Sequence, residues 1–347
     1  MISNKRRKYI LVGIITFSVL LSSFSYYLYQ AFFTPNVLVE DEEVAYLHIP
    51  GGAAWPQVSD SLFRGELVKD MVSFSFVAKL MGYQDNIKPG RYKITSDMSN
   101  TALVRSLRSG EQAPLSLTFN NIRTPEELAE KITRNLEIDQ QDFYPLLKDS
   151  AYIAKFGFNQ ENILSMFIPN TYEVYWNTSA VDLFDRMHRE YERFWNGERR
   201  AKAAALGLDP QEVSVMASIV QAETVKTDER PKVAGVYINR LEINMPLQAD
   251  PTLVFAAGDF TIKRVLNVHK EIDSPYNTYK NTGLPPGPIN LPEISALDAV
   301  LNYQEHDYLY FCAKDDFSGY HAFATNLRDH LNNARRYSRA LNAAGIY

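Results

Sequence analysis

Glu223 is the residue in this sequence best suited to proton chemistry at neutral pH. The run Asp209-Pro210-Gln211-Glu212 opens a helix: an acidic N-cap, proline at the first position, and glutamate three residues after the cap. Met216, Ile219, Val220 and Glu223 then fall at spacings of three and four, so Glu223 extends the apolar stripe of that helix. A carboxyl there is partly desolvated and sits at the negative end of the helix dipole, and both effects favour the protonated form. An acid of that kind is what protonation of a glycosidic oxygen requires. Glu212 belongs to the cap and has a structural role. The helix alone equally allows Glu223 to be an ion-pair partner of Lys226 or Arg230, one turn on.

Several loops downstream carry polar and ring residues stiffened by proline. These are Gln248-Ala249-Asp250-Pro251-Thr252, Ser274-Pro275-Tyr276-Asn277-Thr278-Tyr279, and Asn281-Thr282-Gly283-Leu284-Pro285-Pro286-Gly287-Pro288-Ile289. A fourth, His321-Ala322-Phe323-Ala324-Thr325-Asn326, joins a last strand to the C-terminal helix. Such loops offer amide hydrogen bonds and stacking faces, as a sugar cleft does. Each also has a structural reading: Asp250 and Thr325 suit helix N-caps, and Tyr276 and Tyr279 suit packing.

Other chemistries have little to stand on. There is one cysteine, Cys312, in the apolar run Tyr308–Ala313, which reads as a strand with a buried, inert thiol. None of the six histidines pairs at helical metal spacing, and HExxH, P-loop, GxSxG and GxGxxG motifs are missing from the sequence. The reading therefore calls for no metal and no cofactor. A net charge of -5 supplies no basic field for nucleic acid.

The elements that position these residues follow from the pattern along the chain. Lys5-Arg6-Arg7-Lys8 precedes an uncharged apolar and aromatic stretch, Tyr9 to Phe33, which is long enough to span a bilayer and lacks a small-residue cleavage site. The positive-inside rule keeps residues 1–8 in the cytoplasm, and 9–33 form one membrane helix. Residues 34–44, with Glu40-Asp41-Glu42-Glu43, read as an acidic stalk. Residues 45–112 read as a small α+β unit: a strand at Tyr46–Ile49, helical periodicity from Trp55 to Leu80, a turn and strand at Lys88–Ile94, and a short helix at Thr101–Leu107. The unit resembles a LysM-like glycan-binding module. A connecting region, 113–208, has a helix opening at Thr124-Pro125 and an aromatic segment at Phe167–Trp176. The segment bearing Glu223 spans 209–347 and reads as mixed but mainly helical, with strands near 308–313 and 320–324. The fold class expected is α+β.

The motifs occur together and in order. Ala217-Ser218-Ile219-Val220-Gln221-Ala222-Glu223-Thr224, then Val233 to Asn239-Arg240-Leu241, then Leu247–Thr252, Tyr276–Tyr279, Thr282–Ile289 and His321–Asn326 resemble the endolytic murein transglycosylase (YceG-like) family. The resemblance covers essentially the whole chain. It implies a lytic transglycosylase of the bacterial inner membrane, single-pass, with residues 209–347 as an extracytoplasmic catalytic domain. Its substrate would be peptidoglycan glycan strands, and cell-wall synthesis enzymes its protein partners. It maps the catalytic acid onto Glu223. Substrate contacts are expected from Gln248, Asp250, Tyr276, Asn277, Thr278, Tyr279, Gly283, Pro285, His321 and Asn326. Many members carry a second glutamate where Gln221 stands here, and often Glu-Gly where Leu164-Ser165 stands. The competing readings are a muramidase-type hydrolase using Asp250 as second carboxylate, and a non-catalytic peptidoglycan-binding scaffold.

Overall fold

The first helix, α1 (Asn4–Phe33), has no acidic residue and exposes its apolar side chains along most of its length. It is long and apolar enough to cross a membrane. The computed structural model describes residues 4–39 and 44–345. It is mixed α/β and about half helical, and it divides into two units.

The N-terminal unit comprises the chain to Ser116 together with Glu173–Thr178. After α1 come β1 (Val44–Ile49), α2 (Trp55–Arg64), α3 (Met71–Leu80), β2 (Gly90–Thr95) and α4 (Asn100–Ser109). The strands pair antiparallel with Leu47 opposite Tyr92 and Ile49 opposite Gly90. Period-2 alternation turns Leu47, Ile49, Tyr92 and Ile94 into a core with Phe74, Val77, Leu103 and Leu107. The helical period across 55–80 resolves into two helices. Helix α2 stops at Gly65, Val68 bridges to Val37, and the Asp70 carboxylate then caps α3 by accepting from the Val72 amide. Residues 34–39, read as the start of a stalk, are drawn into this unit: Val37 is buried and Pro35 bridges to Ser99. Glu40 to Glu43 lie outside the described residues.

The end of α1 is fastened by a polar knot. Asn100 donates to the Ala31 carbonyl (2.9 Å) and Thr101 to the Phe32 carbonyl (2.8 Å), which satisfies carbonyls that a helix end leaves orphaned. Asn36 in turn donates to the Asn100 side-chain oxygen at 2.7 Å, so the knot holds α1, α4 and the following segment together.

The second unit comprises Leu117–Tyr172 and everything from Ser179. After β3 (Leu115–Thr118) come α5 (Pro125–Thr133), α6 (Gln140–Lys148), α7 (Ser150–Ala154), a 3-10 turn at Ile163–Met166, and β4 (Thr171–Val174), which pairs with β3; the first two residues of β3 and the last two of β4 are counted in the N-terminal unit. Then follow α8 (Ala180–Phe194), α9 (Gly197–Ala205), α10 (Pro210–Glu223), α11 (Arg230–Glu242), α12 (Asp250–Ala257), a 3-10 turn at Asn267–Glu271, α13 (Ile294–Leu301), β5 (Tyr310–Ala313), β6 (His321–Ala324) and α14 (Leu327–Ala343). Most of the stretch read as a connecting region thus packs in the same unit as Glu223.

Helix α10 is the axis of this unit. Its start is as expected, with Asp209 and Glu212 forming a reciprocal capping box. Its burial differs from the single stripe expected: every residue from Val213 to Val220 is buried, because α9, α11, α12 and α13 surround it. Two caps also differ. The N-cap of α12 is Ala249, with Asp250 its first helical residue, and the N-cap of α14 is Asn326, not Thr325. Asn326 has the amide-side-chain reach to accept from the Asp329 N–H at 3.0 Å.

Candidate active site

Glu223 is the last residue of α10, where the buried helix emerges into an open cleft. Neither of its expected ion-pair partners meets it. Arg230 turns to Glu293 at 2.9 Å and to Ser295, and the Lys226 ammonium lies over the Tyr320 ring. Its partner is Tyr237, whose hydroxyl donates to Glu223 Oε1 at 2.8 Å. Desolvation by the surrounding protein is the dominant influence and lifts the Glu223 carboxyl from 4.5 to about 7. The Tyr237 hydrogen bond opposes that rise, the negative charge of Asp250 adds to it, and Arg240 opposes it. The residue as a whole is only half-buried because one side opens on the cleft, yet its carboxyl is enclosed enough for burial to win.

Helix α11 supplies the wall behind this carboxyl. Tyr237 and Arg240, three residues apart, share a helix face. Tyr237 is fully buried with Phe311 edge-on at 5.9 Å, and its phenol is held far above its ordinary range by burial, so it is a donor at any ordinary pH. Arg240 spends its guanidinium on backbone: Nε on the Leu309 carbonyl (2.7 Å) and Nη1 on the Leu247 carbonyl (2.6 Å). It thereby ties the entry of β5 and the Gln248 loop to α11.

Two loops complete the rim. Thr278 holds them together: it accepts from the Ala249 amide and bonds the Thr252 hydroxyl, while its carbonyl accepts from the Gln248 amide. Gln248 is kept in left-handed backbone (φ 48), an uncommon state for a side-chain-bearing residue, beside the cleft. The Tyr279 hydroxyl donates to Asp250 Oδ1 at 2.5 Å, and burial together with that bond raises the phenol's pKa.

The rear of α10 is sewn to the segment at 289–293. Ser218 accepts from the Ile289 amide, Asn290 donates to the Ser218 carbonyl, and Gln221 donates to Asn290 Oδ1 while accepting from the Glu293 amide. Gly287 lies where a Cβ would come within 1.8 Å of the Glu161 carbonyl oxygen, which accounts for glycine amid the prolines. A third network lies just past Glu223. The buried Glu229 carboxylate accepts from the Thr224 hydroxyl (3.2 Å), the His321 amide (2.8 Å) and His321 Nδ1 (2.6 Å).

Two cavities meet at Glu223 and Asp250, which line both. The larger, about 920 Å³, also has Gln221, Asn290, Phe255 and Phe260, with the cations Arg123, Lys263 and Arg264 on its border. The smaller, about 350 Å³, has Tyr237, Arg240, Gln248, Tyr279, Tyr310 and His321. Cys312 lines it too, half-buried rather than fully buried, and burial raises its thiol pKa.

Of the residues singled out from sequence, Glu223, Gln248, Asp250, Tyr279 and His321 come together on this cleft. Tyr276 stands behind it, its ring 4.7 Å from Phe255. Asn277 and Thr278 are buried in loop hydrogen bonds, Asn277 donating to the Lys270 and Ile272 carbonyls. Gly283 and Pro285 border a separate cavity of about 470 Å³ that Glu223 does not line. Asn326 is the cap of α14. Sequence reasoning passed over Tyr237, Arg240, Asn290, Glu229 and Arg123. Tyr237 and Arg240 lay within a noted motif, but nothing local told that α11 would pack with that face on Glu223. Among the described residues, His, Cys, Asp and Glu form no group of three able to hold a metal ion.

A model of the YceG-like family matches residues 47–336. An endolytic murein transglycosylase of Streptococcus pneumoniae serotype 2 is 28% identical over 364 residues, covering 95% of this chain and 65% of the relative. One from Bacillus subtilis is 29% identical over 315 residues, covering 85% of each. The chain therefore spans just under two thirds of the length of the pneumococcal relative. A crystal structure of a yceG-like protein from Listeria monocytogenes is similar in fold, with a TM-score of 0.56 and 26% identity over 84% of this chain and 99% of that one.

Proposed function

The chain belongs to the YceG-like family, and from that premise we propose that it is an endolytic murein transglycosylase with Glu223 as its acid and base. The observation that carries the proposal is one carboxyl, raised to about 7 and donated to by Tyr237, at the meeting point of two cavities. A glycan strand lying through both cavities presents the bond between N-acetylmuramic acid and N-acetylglucosamine to that carboxyl. Protonated Glu223 gives its proton to the bridging oxygen as the C1–O bond breaks and positive charge builds on C1. The carboxylate left behind takes the proton of the muramic acid's own C6 hydroxyl, whose oxygen bonds to C1. The products are a 1,6-anhydro end and a free 4-hydroxyl, and Glu223 is protonated again with no water consumed.

The other groups support that cycle. Tyr237 follows Glu223 through both states as a donor, binding the carboxylate more strongly than the acid. Asp250 keeps the acid protonated by its charge. Gln248, Tyr279 and His321 offer polar contacts to sugars in the smaller cavity, and the basic border of the larger cavity suits stem-peptide carboxylates. The N-terminal unit is proposed as the LysM-like module that holds glycan near the membrane. Lys5 to Lys8 set α1 with its start in the cytoplasm and the cleft outside. The role is release or termination of nascent strands during growth, beside wall-synthesis enzymes.

A hydrolase is the second reading, because Asp250 shares both cavities with Glu223 and could activate water or trap C1. Digestion in water enriched in oxygen-18 separates the two. A transglycosylase yields anhydro ends without label; one heavy oxygen per cut, at a reducing muramic acid, would replace the proposal with hydrolysis.

A further inference from the structure

The N-terminal unit carries an apolar stripe that its own core does not cover. Helix α3 reads Met-Val-Ser-Phe-Ser-Phe-Val-Ala-Lys-Leu and is apolar on two sides. One side, Phe74, Val77 and Ala78, is the core of the unit. The other, Val72, Phe76 and Leu80, recurs every four residues and is 73%, 45% and 65% exposed. A ten-residue helix with such a face in water is an interaction surface awaiting its partner.

The stripe lies beside the end of α1. Phe76 meets Phe32 of α1 edge-on, with ring centroids 6.3 Å apart. Helix α1 has 30 residues and is about 45 Å long, against roughly 30 Å of bilayer hydrocarbon. Its last turns, with Tyr26, Tyr27, Tyr29, Phe32 and Phe33, are the aromatic belt expected at the membrane–water boundary. The bonds from Asn100 and Thr101 to the final carbonyls of α1 fix α4 against that end, and Asn100 also donates to the Ser73 hydroxyl of α3 at 3.1 Å. Lys69 and Lys79, exposed just before and within α3, are cations of the kind that reach lipid phosphates from an interfacial helix.

We propose that the Val72–Phe76–Leu80 face of α3 lies in the interfacial layer of the bilayer beside α1, so that a second element holds the N-terminal unit flat to the membrane. The inference rests on α1 being a membrane helix and on no catalytic role for any residue.

The test uses the full chain in lipid bilayer nanodiscs containing anionic lipid, with Cys312→Ser and one nitroxide at a time. Labels go on Val72→Cys and Leu80→Cys, both exposed positions; on Val19→Cys in the middle of α1; and on Arg108→Cys, at the end of α4 remote from α1. Collision with oxygen, which concentrates in lipid, is compared with collision with a water-soluble nickel chelate. The expected result is oxygen-rich, nickel-poor behaviour at 72 and 80, as at 19, and the reverse at 108. Labels at 72 and 80 that match 108 while 19 remains in lipid would overturn this proposal alone. Loss of nickel access at 72 and 80 without gain of oxygen would mean that protein covers the stripe, and would also overturn it. A label at 19 open to nickel would remove the membrane anchor and this inference together.

Discussion

Tyr237 donates its hydroxyl to Glu223 across 2.8 Å, from the helix that follows Glu223 in the chain and packs alongside it. The bond stabilises the charged carboxylate, whereas burial and Asp250 stabilise the neutral acid. Because burial is the largest influence, the carboxyl is poised near neutrality, where one group can both give and take a proton.

Opposed shifts in the pH profile follow from that balance. In the proposed reaction the protonated acid acts first, so activity is expected to fall as pH rises through about 7. Tyr237→Phe removes a group that favours the charged form, so the Glu223 pKa rises and the alkaline limb moves to higher pH. Asp250→Asn removes a negative charge that favours the neutral form, so the limb moves to lower pH. Rate–pH profiles of muropeptide release measure both. Shifts in the same direction would contradict the assigned balance.

The size of the loss in Asp250→Asn is a separate test. The amide oxygen that this substitution introduces can still accept from the Tyr279 hydroxyl, so the loop is preserved. A charge-modulating role then costs no more than about tenfold at the pH optimum, since one displaced pKa step is about 1.4 kcal/mol. A nucleophile or base would lose about 100-fold or more.

Glu223 also carries a stability cost of definite sign. Its folded pKa, about 7, lies above the ordinary 4.5. Below pH 4.5 both states are protonated and there is no cost. Between 4.5 and 7 the unfolded chain ionises first, so stability declines, and above 7 the loss is complete at about 1–3 kcal/mol once partial exposure is allowed for. Glu223→Gln lacks this cost. Thermal unfolding of the two proteins should coincide near pH 4 and favour the glutamine variant at pH 8; equal differences at both values would refute the burial argument.

Gln221 uses its amide in both senses, donating to Asn290 and accepting from the Glu293 amide. A glutamate cannot donate, so Gln221→Glu leaves Asn290 Oδ1 facing a carboxylate. Loss of about 1–3 kcal/mol in denaturant unfolding is expected, and a change below about 0.5 kcal/mol would show the clamp to be dispensable.

Glu229 accepts three hydrogen bonds, two of them from His321, in a buried position. Glu229→Gln is expected to cost about 1.5–3 kcal/mol, the range for bonds to a charged group. It also frees the His321 ring in the smaller cavity, which should raise KM more than it lowers kcat. An unchanged KM would leave Glu229 a purely structural residue.

What was legible in the sequence was what chain-local signals encode. The Asp209 cap, Pro210 and the three-four spacing placed Glu223 on a helix, and the alternation in 46–49 and the turn entering a strand at 88–94 placed the first two strands. The membrane-length stretch stood out by length alone. What was illegible depends on which helices pack together. Burial of α10 on all sides comes from the elements packed around it, and Tyr237 reaches Glu223 only because α11 packs face-on to it. Polar loop residues divide for the same reason: Gln248 and Tyr279 face the cleft, while Asn277 and Thr278, adjacent and equally polar, turn inward to satisfy buried backbone. The caps at Ala249 and Asn326 fell one residue from the expected positions, where local propensity discriminates poorly.

One carboxyl, Glu223, is proposed to perform both proton transfers. The most direct measurement is mass spectrometry of muropeptides released from purified peptidoglycan by the full chain and by Glu223→Gln, with glycan binding measured alongside. Anhydromuramic ends from the first, a loss of about 100-fold or more in the second, and equal glycan binding by both are the results expected. Anhydro ends released at comparable rates by Glu223→Gln would contradict the account.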